Sequence, residues 1–467
     1  LTSNHTLAEL VVINNATSGT ITLNSYGVAL SGSTSDVKAA LAGTFASTYT
    51  GNVTLSDGDG SGIAAADITT IEGDTSGTVT VSNNINLTGT SAQIAAAVAD
   101  VNTFSGTPTA TLSDAHTLAE LKAINNALSG TLSLNDYTVD LTGSAADLAA
   151  ALAGSFASTY TGNIVINDAN SASIAAADIS TIAGTTNGTV TVSNDINITG
   201  TSAEVAAAVG NVNTFSGSPT AALSTDHTLA ELKTINNAFG GTLTLNDYSV
   251  ALSGSSADVA AALDGTFAAS YTGNAVLNNA HTLAQLKTIN NATSGTITLN
   301  DASVALSGSS ADITAALNGI TNYTGNVTLS DAHTLAQLKA INNAGSGSIT
   351  LNDASVALSG SSADIAAALT GITSYTGTAT LNDNHSLSEL VTINNATSGN
   401  ITLNSNAVAL TGSTSDVKAA LAGNVGAVYT GNIVLNDANG TGIAATDITT
   451  IESDTTGTIT VSNNINL

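Results

Sequence analysis

The chain has 467 residues and a formal net charge of −28, although only 9% of its residues are charged, because it carries six basic residues, all of them Lys. The lack of clustered basic side chains argues against a nucleic-acid partner and against attraction to an anionic membrane surface. The chain has no Cys, which excludes a disulfide framework and thiolate metal sites. The sequence has no uninterrupted apolar run of about 18 residues, so it predicts no membrane-spanning helix.

Two kinds of module alternate along the sequence, and each closes on a Gly. A short module such as 326–347 has one extended segment before its helix, whereas a long module such as 348–377 has two. Long arrays of one such unit build solenoids. No signal peptide is visible at Leu1, where the chain opens in mid-module. We therefore expect one continuous array across residues 1–467, as a window on a longer one.

The modules defined by these Gly residues are 1–19 (partial), 20–51, 52–77, 78–106, 107–130, 131–162, 163–188, 189–217, 218–241, 242–273, 274–295, 296–325, 326–347, 348–377, 378–399, 400–431, 432–457 and 458–467 (partial).

The segments that open the modules alternate Thr or Ser with Ile, Val or Leu, as in 20–23 and 296–299. This alternation places apolar side chains on one face of a strand and hydroxyls on the other. A strand, a short helix and another strand in repeat modules of 22 to 32 residues predict an α/β solenoid. Its parallel strands would stack with short helical crossovers between them, and a strand spacing of about 4.8 Å predicts a rod roughly 80 Å long. The second extended segment of a long module, such as 303–307, is either another side of the coil or the returning arm of a hairpin.

The helices have recognisable starts. Thr or Ser followed three residues later by Glu or Gln predicts a capping box, and this pattern occurs at Thr6, Thr117, Thr228, Thr282, Thr334 and Ser386. In the long modules Ser255, with Asp258 in the first turn, predicts the start of an Ala-rich helix. The pair Asn342 and Asn343 is typical of a left-handed helix exit.

A His precedes each of the six capping boxes directly, at His5, His116, His227, His281, His333 and His385. At this position a side chain packs against the residue four places into the helix. We expect a hydrophobic staple or a local hydrogen bond. Metal binding by His is less favoured, because the adjacent module has no His in register.

The best candidate for a ligand site is a group of polar residues that follow a strand. Asp57, Asp59, Ser61 and Asp67 resemble the start of a calcium loop, and the sister modules have Asp168 with Asn170, and Asp437 with Asn439. The twelfth loop position, which needs a bidentate Glu, is Ile68. Asp, Asn and Gly are also the usual turn formers. Turn formation alone and a weak calcium site therefore remain alternatives, and calcium is the one cofactor to consider.

Catalysis has little support, because a catalytic group is normally singular whereas each Asp, Ser and His here has several copies in the same register. We expect that the chain is not an enzyme. Rows of Thr, of which Thr20 and Thr22 are examples, would form a regular face of hydroxyls and methyls. Such a face could bind ice, glycans or a second copy, or it could simply reflect the strand propensity of Thr.

The phrases TLAELKAINNA, NATSGTITL, SGSSADVAAAL and TGNVTLSDA recur along the whole chain. In style and repeat phrase it resembles the very large, acidic, Cys-poor tandem-repeat proteins of bacterial cell surfaces, particularly those of marine cyanobacteria. The resemblance implies export, an extracellular or cell-surface location, and a role as a surface layer, filament or adhesin. Two hypotheses follow: a structural array that associates with itself end to end or laterally, and a calcium-stiffened adhesin stalk whose Thr-rich face binds ice or glycans.

Overall fold

The computed structural model describes residues 1–345 and 347–467, and it consists of short helices that alternate with very short strands. The helices are α1 Leu7–Ala16, α2 Thr34–Leu41, α3 Ala65–Asp74, α4 Ser91–Asp100, α5 Leu118–Ala127, α6 Ala145–Leu152, α7 Ala176–Thr185, α8 Ser202–Asn211, α9 Leu229–Ala238, α10 Ser256–Leu263, α11 Leu283–Ala292, α12 Ser310–Leu317, α13 Leu335–Ala344, α14 Ser362–Leu369, α15 Leu387–Ala396, α16 Thr414–Leu421 and α17 Ala445–Asp454.

The strands have two to four residues each. They are β1 Leu30–Gly32, β2 Val53–Leu55, β3 Gly62–Ala64, β4 Val79–Val81, β5 Asn86–Gly89, β6 Thr103–Phe104, β7 Thr109–Leu112, β8 Leu132–Ser133, β9 Leu141–Gly143, β10 Ile164–Ile166, β11 Ser173–Ala175, β12 Val190–Val192, β13 Asn197–Gly200, β14 Thr214–Phe215, β15 Thr220–Leu223, β16 Thr242–Thr244, β17 Leu252–Gly254, β18 Thr266–Phe267, β19 Ala275–Leu277, β20 Ile297–Thr298, β21 Leu306–Gly308, β22 Val327–Leu329, β23 Ile349–Thr350, β24 Leu358–Gly360, β25 Ala379–Leu381, β26 Ile401–Thr402, β27 Leu410–Gly412, β28 Ile433–Leu435 and β29 Ile459–Val461.

Successive strands lie parallel, one turn of the coil apart. Leu306 of β21 is in register with Val327 of β22, which in turn is in register with Ile349 of β23. Helix α12 connects the first two strands and α13 connects the second two, because parallel neighbours need a crossover. The predicted α/β solenoid, with stacked parallel strands and short helical crossovers, is confirmed.

The second extended segment of each long module is another side of the coil. Strand β21 starts the sheet β21-β22-β23, whereas β20, which opens the same module, ends the sheet β17-β19-β20. Both strands pair in parallel with their neighbours, so the alternative of a hairpin arm is wrong. A long module therefore contributes to two consecutive sheets.

Contacts divide the chain into two compact units. One comprises Leu1–His227 with Asn237–Asn246, and the other comprises Thr228–Asn236 with Asp247–Leu467. Within each unit, helices that are consecutive in sequence pack side by side, as α1 does with α2 and α13 with α14. Each unit is a repeat solenoid. The single continuous array and its module boundaries stay a prediction.

The core of each unit lies between its strands and its helices. In β2 the side chains of Val53 and Leu55 are buried while Thr54 between them is half-buried, as the alternating pattern predicts. On α13, Leu338 and Ile341 are buried. Six Tyr side chains are among the largest fully buried ones: Tyr49, Tyr160, Tyr271, Tyr323, Tyr375 and Tyr429.

The predicted helix starts are confirmed, but the predicted helix exit is wrong. The capping box is complete at Thr334, whose side chain accepts a hydrogen bond from the Gln337 N–H while the Gln337 side chain accepts one from the Thr334 N–H. Asn342 is helical instead of left-handed, and its amide donates to the carbonyl oxygens of Ala367 at 3.0 Å and Thr370 at 2.7 Å. The amide thus caps the carbonyl end of the next helix.

In the described parts of the chain, no helix combines the length and the apolar character needed to cross a membrane.

Candidate functional site

The His residues that precede the short-module helices are buried and bonded to a distant Tyr. His333 is 3% exposed, and its Nε2 lies 3.1 Å from the hydroxyl of Tyr375. That hydroxyl donates its hydrogen to the Val356 carbonyl at 2.6 Å. A Tyr hydroxyl has one hydrogen, so His333 must donate from Nε2. The expectation of a local hydrogen bond is wrong, because this bond spans 42 residues of sequence.

The same bond recurs in both units. Nε2 to hydroxyl distances are 3.0 to 3.2 Å for His5 with Tyr49, His116 with Tyr160, His281 with Tyr323, and His385 with Tyr429. In these four His and in His333, Nδ1 is buried and has no hydrogen-bond partner among residues 1–345 and 347–467. Burial also lowers the pKa of each of the five His below its ordinary value, against the weaker opposing effect of nearby carboxylates. Burial therefore favours the neutral form of these His at pH 7.

Burial acts on the Tyr partners in the opposite direction. It raises the pKa of Tyr49, Tyr323 and Tyr429 to about 12, so the hydroxyls stay protonated and continue to donate to their carbonyl acceptors. A neutral His and a protonated Tyr in a dry environment form a structural hydrogen bond and not an acid–base pair.

Each Lys forms an ion pair with an Asp of a neighbouring helix. The pairs are Lys38 with Asp67, Lys122 with Asp147, Lys233 with Asp258, Lys287 with Asp312, Lys339 with Asp364, and Lys418 with Asp447. The Lys hydrogen bond lowers the pKa of Asp147, Asp258, Asp312 and Asp364, with a smaller contribution from the Ser cap beside each Asp. All six Lys side chains of the chain therefore link one helix to another.

Three of the predicted calcium ligands cap the helix of the preceding long module. The Asp57 carboxylate accepts hydrogen bonds from the Thr34 N–H at 3.0 Å and the Thr34 hydroxyl at 2.6 Å. Asp437 makes the same two bonds to Thr414. In the third copy the Asp168 carboxylate accepts the N–H of Ala145, the first residue of α6, at 2.8 Å. A carboxylate at a helix N-terminus is stabilised by the free N–H groups and the helix dipole.

The remaining predicted ligands serve the turn or a different contact. Three of them accept a backbone N–H across one turn of the coil: Asp59 from Asn84 at 2.9 Å, Asn170 from Asp195 at 3.1 Å, and Asn439 from Asn464 at 3.0 Å. The N–H of Ser61 closes the turn on the Gly58 carbonyl at 3.0 Å. Asp67 lies in α3 and pairs with Lys38.

The structure thus brings Asp57, Asp59 and Ser61 into one turn and directs Asp67 to a lysine. Across the described ranges, no group of three or more His, Cys, Asp or Glu is arranged to hold a metal ion. Every one of these side chains except Ser61 has an oxygen that already accepts a protein hydrogen bond, and Ser61 forms its turn through its N–H. The calcium site stays a prediction.

Hydroxyl side chains form short exposed rows across the strands. Ser307, Thr328 and Thr350 are in register on β21, β22 and β23, and all three are exposed. Ser359, half-buried Thr380 and Thr402 form the equivalent row on β24, β25 and β26. Neighbouring members of a row are one strand spacing, about 4.8 Å, apart. Thr20 and Thr22 are likewise exposed on either side of buried Ile21.

Comparisons with known proteins identify no family. No protein-family model and no curated protein matches the chain. Among solved structures, the chain is similar to the LRR ectodomain of the plant membrane receptor kinase GASSHO1/SCHENGEN3 from Arabidopsis thaliana, in complex with CASPARIAN STRIP INTEGRITY FACTOR 2. The identity is 13% over 97% of this chain and 48% of that chain, with a TM-score of 0.16. The chain spans about half the length of that protein.

It is also similar to the LRR ectodomain of the Arabidopsis receptor kinase HAESA in complex with an N-terminally extended IDA peptide hormone. Here the identity is 13% over 93% of this chain and 69% of that chain, with a TM-score of 0.15. At these TM-scores the likeness carries no argument, and the solenoid fold rests on the strand pairings of the chain itself.

Proposed function

We propose that the chain is a structural, extracellular repeat protein whose solenoid modules build a rod, surface layer or filament. The observation that supports this proposal is that the repeated polar residues bond to one another between modules. The His333 to Tyr375 bond, the Lys339 to Asp364 pair and the Asp57 cap on Thr34 each join consecutive modules. Side chains that could serve chemistry are committed to holding neighbouring modules together.

On this proposal the chain is not an enzyme, and its principal partner is another copy of the same protein, added end to end or laterally. Short parallel strands joined by helices form a unit that can be extended by addition of further units. Exposed strand edges and flat polar faces are the surfaces through which such units associate.

Electron microscopy and sedimentation over a range of protein concentrations test the assembly. We expect elongated particles that grow in length or width as concentration rises. A Thr328→Lys, Thr380→Lys variant places positive charges on the hydroxyl rows, so it should suppress lateral but not end-to-end association. Isolated short particles at high concentration would contradict the filament, and small-angle scattering from a compact sphere would contradict the rod.

The hydroxyl rows favour a second candidate function; they are Ser307, Thr328 and Thr350, and Ser359, Thr380 and Thr402. In this alternative the protein is an adhesin stalk, stiffened by calcium, whose Thr-rich face binds ice or glycans. Inhibition of ice recrystallisation and binding to a glycan array test the face. Thr328→Val keeps the shape of the side chain and removes its hydroxyl, so it separates a hydrogen-bonding role from a purely steric one.

Calorimetric melting with and without a chelator tests the calcium component. A bound ion stabilises only the state that binds it, so a lower melting temperature in chelator would support the stiffening role. Asp437→Asn provides the control: its cap on Thr414 weakens with or without calcium. A curve unchanged by chelator would remove calcium from the proposal.

A further inference from the structure

Most long modules place an extra strand segment against the edge of their opening strand, as β6 does with β4 and β14 with β12, and three others do so through the same two hydrogen bonds. In module 20–51 the N–H of Ile21 donates to the Thr44 carbonyl at 2.8 Å, and the Ile21 carbonyl accepts the N–H of Ala46 at 3.0 Å. Leu132 makes the same two bonds to Ser155 and Ala157, and Ile401 makes them to Asn424 and Gly426, all at 2.8 or 2.9 Å. The N–H and carbonyl groups that these strands direct away from the sheet therefore form hydrogen bonds with residues of their own module.

The extra segment also carries an apolar side chain. It is Phe45 in module 20–51, Phe156 in module 131–162 and Val425 in module 400–431, each in register with the opening strand. The opening-strand residues in these modules are buried: Ile21 is 6% exposed, and Leu132 and Ile401 are 0% exposed. Backbone pairing and apolar burial are thus provided by the same few residues.

Modules 296–325 and 348–377 lack this segment. Between Leu317 and Tyr323 there are two residues fewer than between Leu41 and Tyr49, and no Phe is among them. The shorter loop turns at Gly319, whose φ is +75°, and returns the Ile320 N–H to the Leu317 carbonyl at 3.0 Å.

The opening strands of these two modules are consequently left at the edge. Strand β20 is the last strand of its sheet, and so is β23. Ile297 pairs only with the β19 side, so its own N–H and carbonyl point outward, where the described residues supply no further strand. The side chains of Ile297 and Ile349 are half-buried, unlike their buried counterparts.

A pocket lies at each open edge. The first has a volume of about 450 Å³ and is lined by residues that include Thr296, Ile297, Asn318, Gly319 and Ile320. The second has a volume of about 400 Å³ and is lined in the same way by Ile349 and residues 370–372. Both combine an unpaired strand edge with an incompletely covered apolar side chain.

We infer that each of these two pockets binds an extended peptide segment of a partner protein, parallel to β20 or β23. The segment would have the chemistry of 43–47: one Phe or Val flanked by small polar residues. The peptide residue before the apolar one would accept the Ile297 N–H with its carbonyl, as Thr44 does for Ile21. The residue after the apolar one would donate its N–H to the Ile297 carbonyl, as Ala46 does to Ile21. The apolar side chain between them would cover Ile297. Addition of a strand to an exposed edge provides affinity through the backbone and selectivity through one side chain.

A synthetic peptide with the sequence of residues 43–49, GTFASTY, tests the inference by fluorescence anisotropy with the whole chain. We expect saturable binding of two peptides per chain, one for each pocket. N-methylation of the peptide Ala amide removes one hydrogen bond, and replacement of its Phe by Asp removes the apolar contact. Each change should weaken binding about tenfold or more.

The chain provides its own matched control. Replacing residues 318–322 with the sequence of 42–48 converts the first open module to the closed type, and the same replacement at 370–374 converts the second. Each graft uses a sequence that folds in this position in module 20–51, so the fold should be retained. We expect one bound peptide after one graft and none after both.

Amide hydrogen exchange gives an independent measurement. The Ile297 amide should exchange much faster than the paired amide of Ile21, and saturating peptide should slow it. Three outcomes would overturn the inference: no saturable binding up to about 1 mM peptide, binding unchanged by the double graft, or self-association that the grafts abolish, which would assign the pockets to a second copy. The inference does not rest on the proposed structural role.

Discussion

Each buried His depends on a hydroxyl from a distant part of the chain. Tyr375 lies between His333 and the Val356 carbonyl, accepting one hydrogen bond and donating another. A buried polar group without a partner costs more than a satisfied pair contributes. The loss of the Tyr375 hydroxyl would therefore remove the partner of the buried His333 ring and of the Val356 carbonyl.

We predict that Tyr375→Phe lowers the free energy of unfolding by about 1 to 3 kcal/mol, measured by urea denaturation. Tyr137→Phe is the control, because the half-buried Tyr137 hydroxyl accepts the Leu134 N–H, at 3.0 Å, and its loss should cost less than about 1 kcal/mol. Equal losses for the two variants would contradict a special role for the His link.

We predict that acidification from about pH 7 to about pH 5 destabilises the fold. Unfolded His takes up a proton near pH 6.5, whereas burial lowers the pKa of His333 in the folded chain, although Asp353 and Asp331 partly oppose the shift. Below about pH 6.5 the unfolded state therefore binds more protons, and the free energy of unfolding falls as pH decreases. Above about pH 7 this contribution is fully present.

Urea denaturation at several pH values, together with NMR titration of the His rings, measures the effect. The Asp and Glu carboxyls whose pKa is lowered titrate below about pH 4.5, outside this window. Ring titration at or above the ordinary pKa, or stability that is flat from pH 7 to pH 5, would contradict the prediction.

Glycine allows the backbones of consecutive turns to come close together. A Cβ on Gly399 would come within 2.3 Å of the Gly377 carbonyl oxygen, and one on Gly347 within 1.9 Å of the Gly325 oxygen. Backbone atoms cannot move away as a flexible side chain can. The module-closing Gly is therefore a contact requirement of the stack as well as a turn residue.

Two Gly to Ala substitutions should have opposite signs. Gly399→Ala forces the turns apart, and we predict a loss of at least 1 to 3 kcal/mol, about the cost of overpacking. Gly73→Ala lies in α3, where an added Cβ meets nothing within 4 Å, so we predict a gain of about 0.5 to 1 kcal/mol. Thermal unfolding of both variants provides the comparison. A destabilised Gly73→Ala variant would show that the α3 surface is not free.

The elements themselves follow well from the sequence, because their determinants are local. Thr334 and Gln337 are three residues apart, and their capping box forms as the pattern predicts. Alternation in β2 likewise predicts which side chains are buried. The prediction of a left-handed helix exit at Asn342 is wrong because the side-chain amide bonds to the next helix. That bond depends on how consecutive modules pack, which local sequence does not encode.

The contacts between modules were harder to predict from sequence. His333 and Tyr375 belong to different modules, and hydropathy patterns carry no information across 42 residues. A signal nevertheless existed: the chain has six His, and it has six buried Tyr, each in a Tyr-Thr-Gly phrase that closes a long module. The role of Asp57 also depends on stacking, since turn formation, metal binding and helix capping use the same oxygen atoms.

Across the whole molecule, acidic side chains far outnumber basic ones. All six Lys are paired, while the net charge stays at −28. Side chains in these pairs are roughly 40% exposed, as for Lys122 at 40% and Asp147 at 43%, and exposed pairs contribute only about 0 to 1 kcal/mol. We therefore expect repulsion among the remaining carboxylates to outweigh attraction within the pairs.

We predict that salt stabilises the fold. Raising the ionic strength from about 0.01 M to about 0.1 M shortens the screening length from about 30 Å to about 10 Å, which weakens repulsion across the acidic surface. The thermal midpoint should rise over this range, and Lys339→Gln should change stability by no more than about 1 kcal/mol. A midpoint that falls with salt would show that the ion pairs dominate.

The loop that follows the helix is two residues shorter in the open long modules than in closed module 20–51, while both types pair their strands in parallel with neighbouring turns. Recombination between such repeats would exchange one type for the other without disturbing its neighbours. A lineage could in this way vary how many docking positions a chain carries, and where they occur, while the architecture that presents them is inherited unchanged.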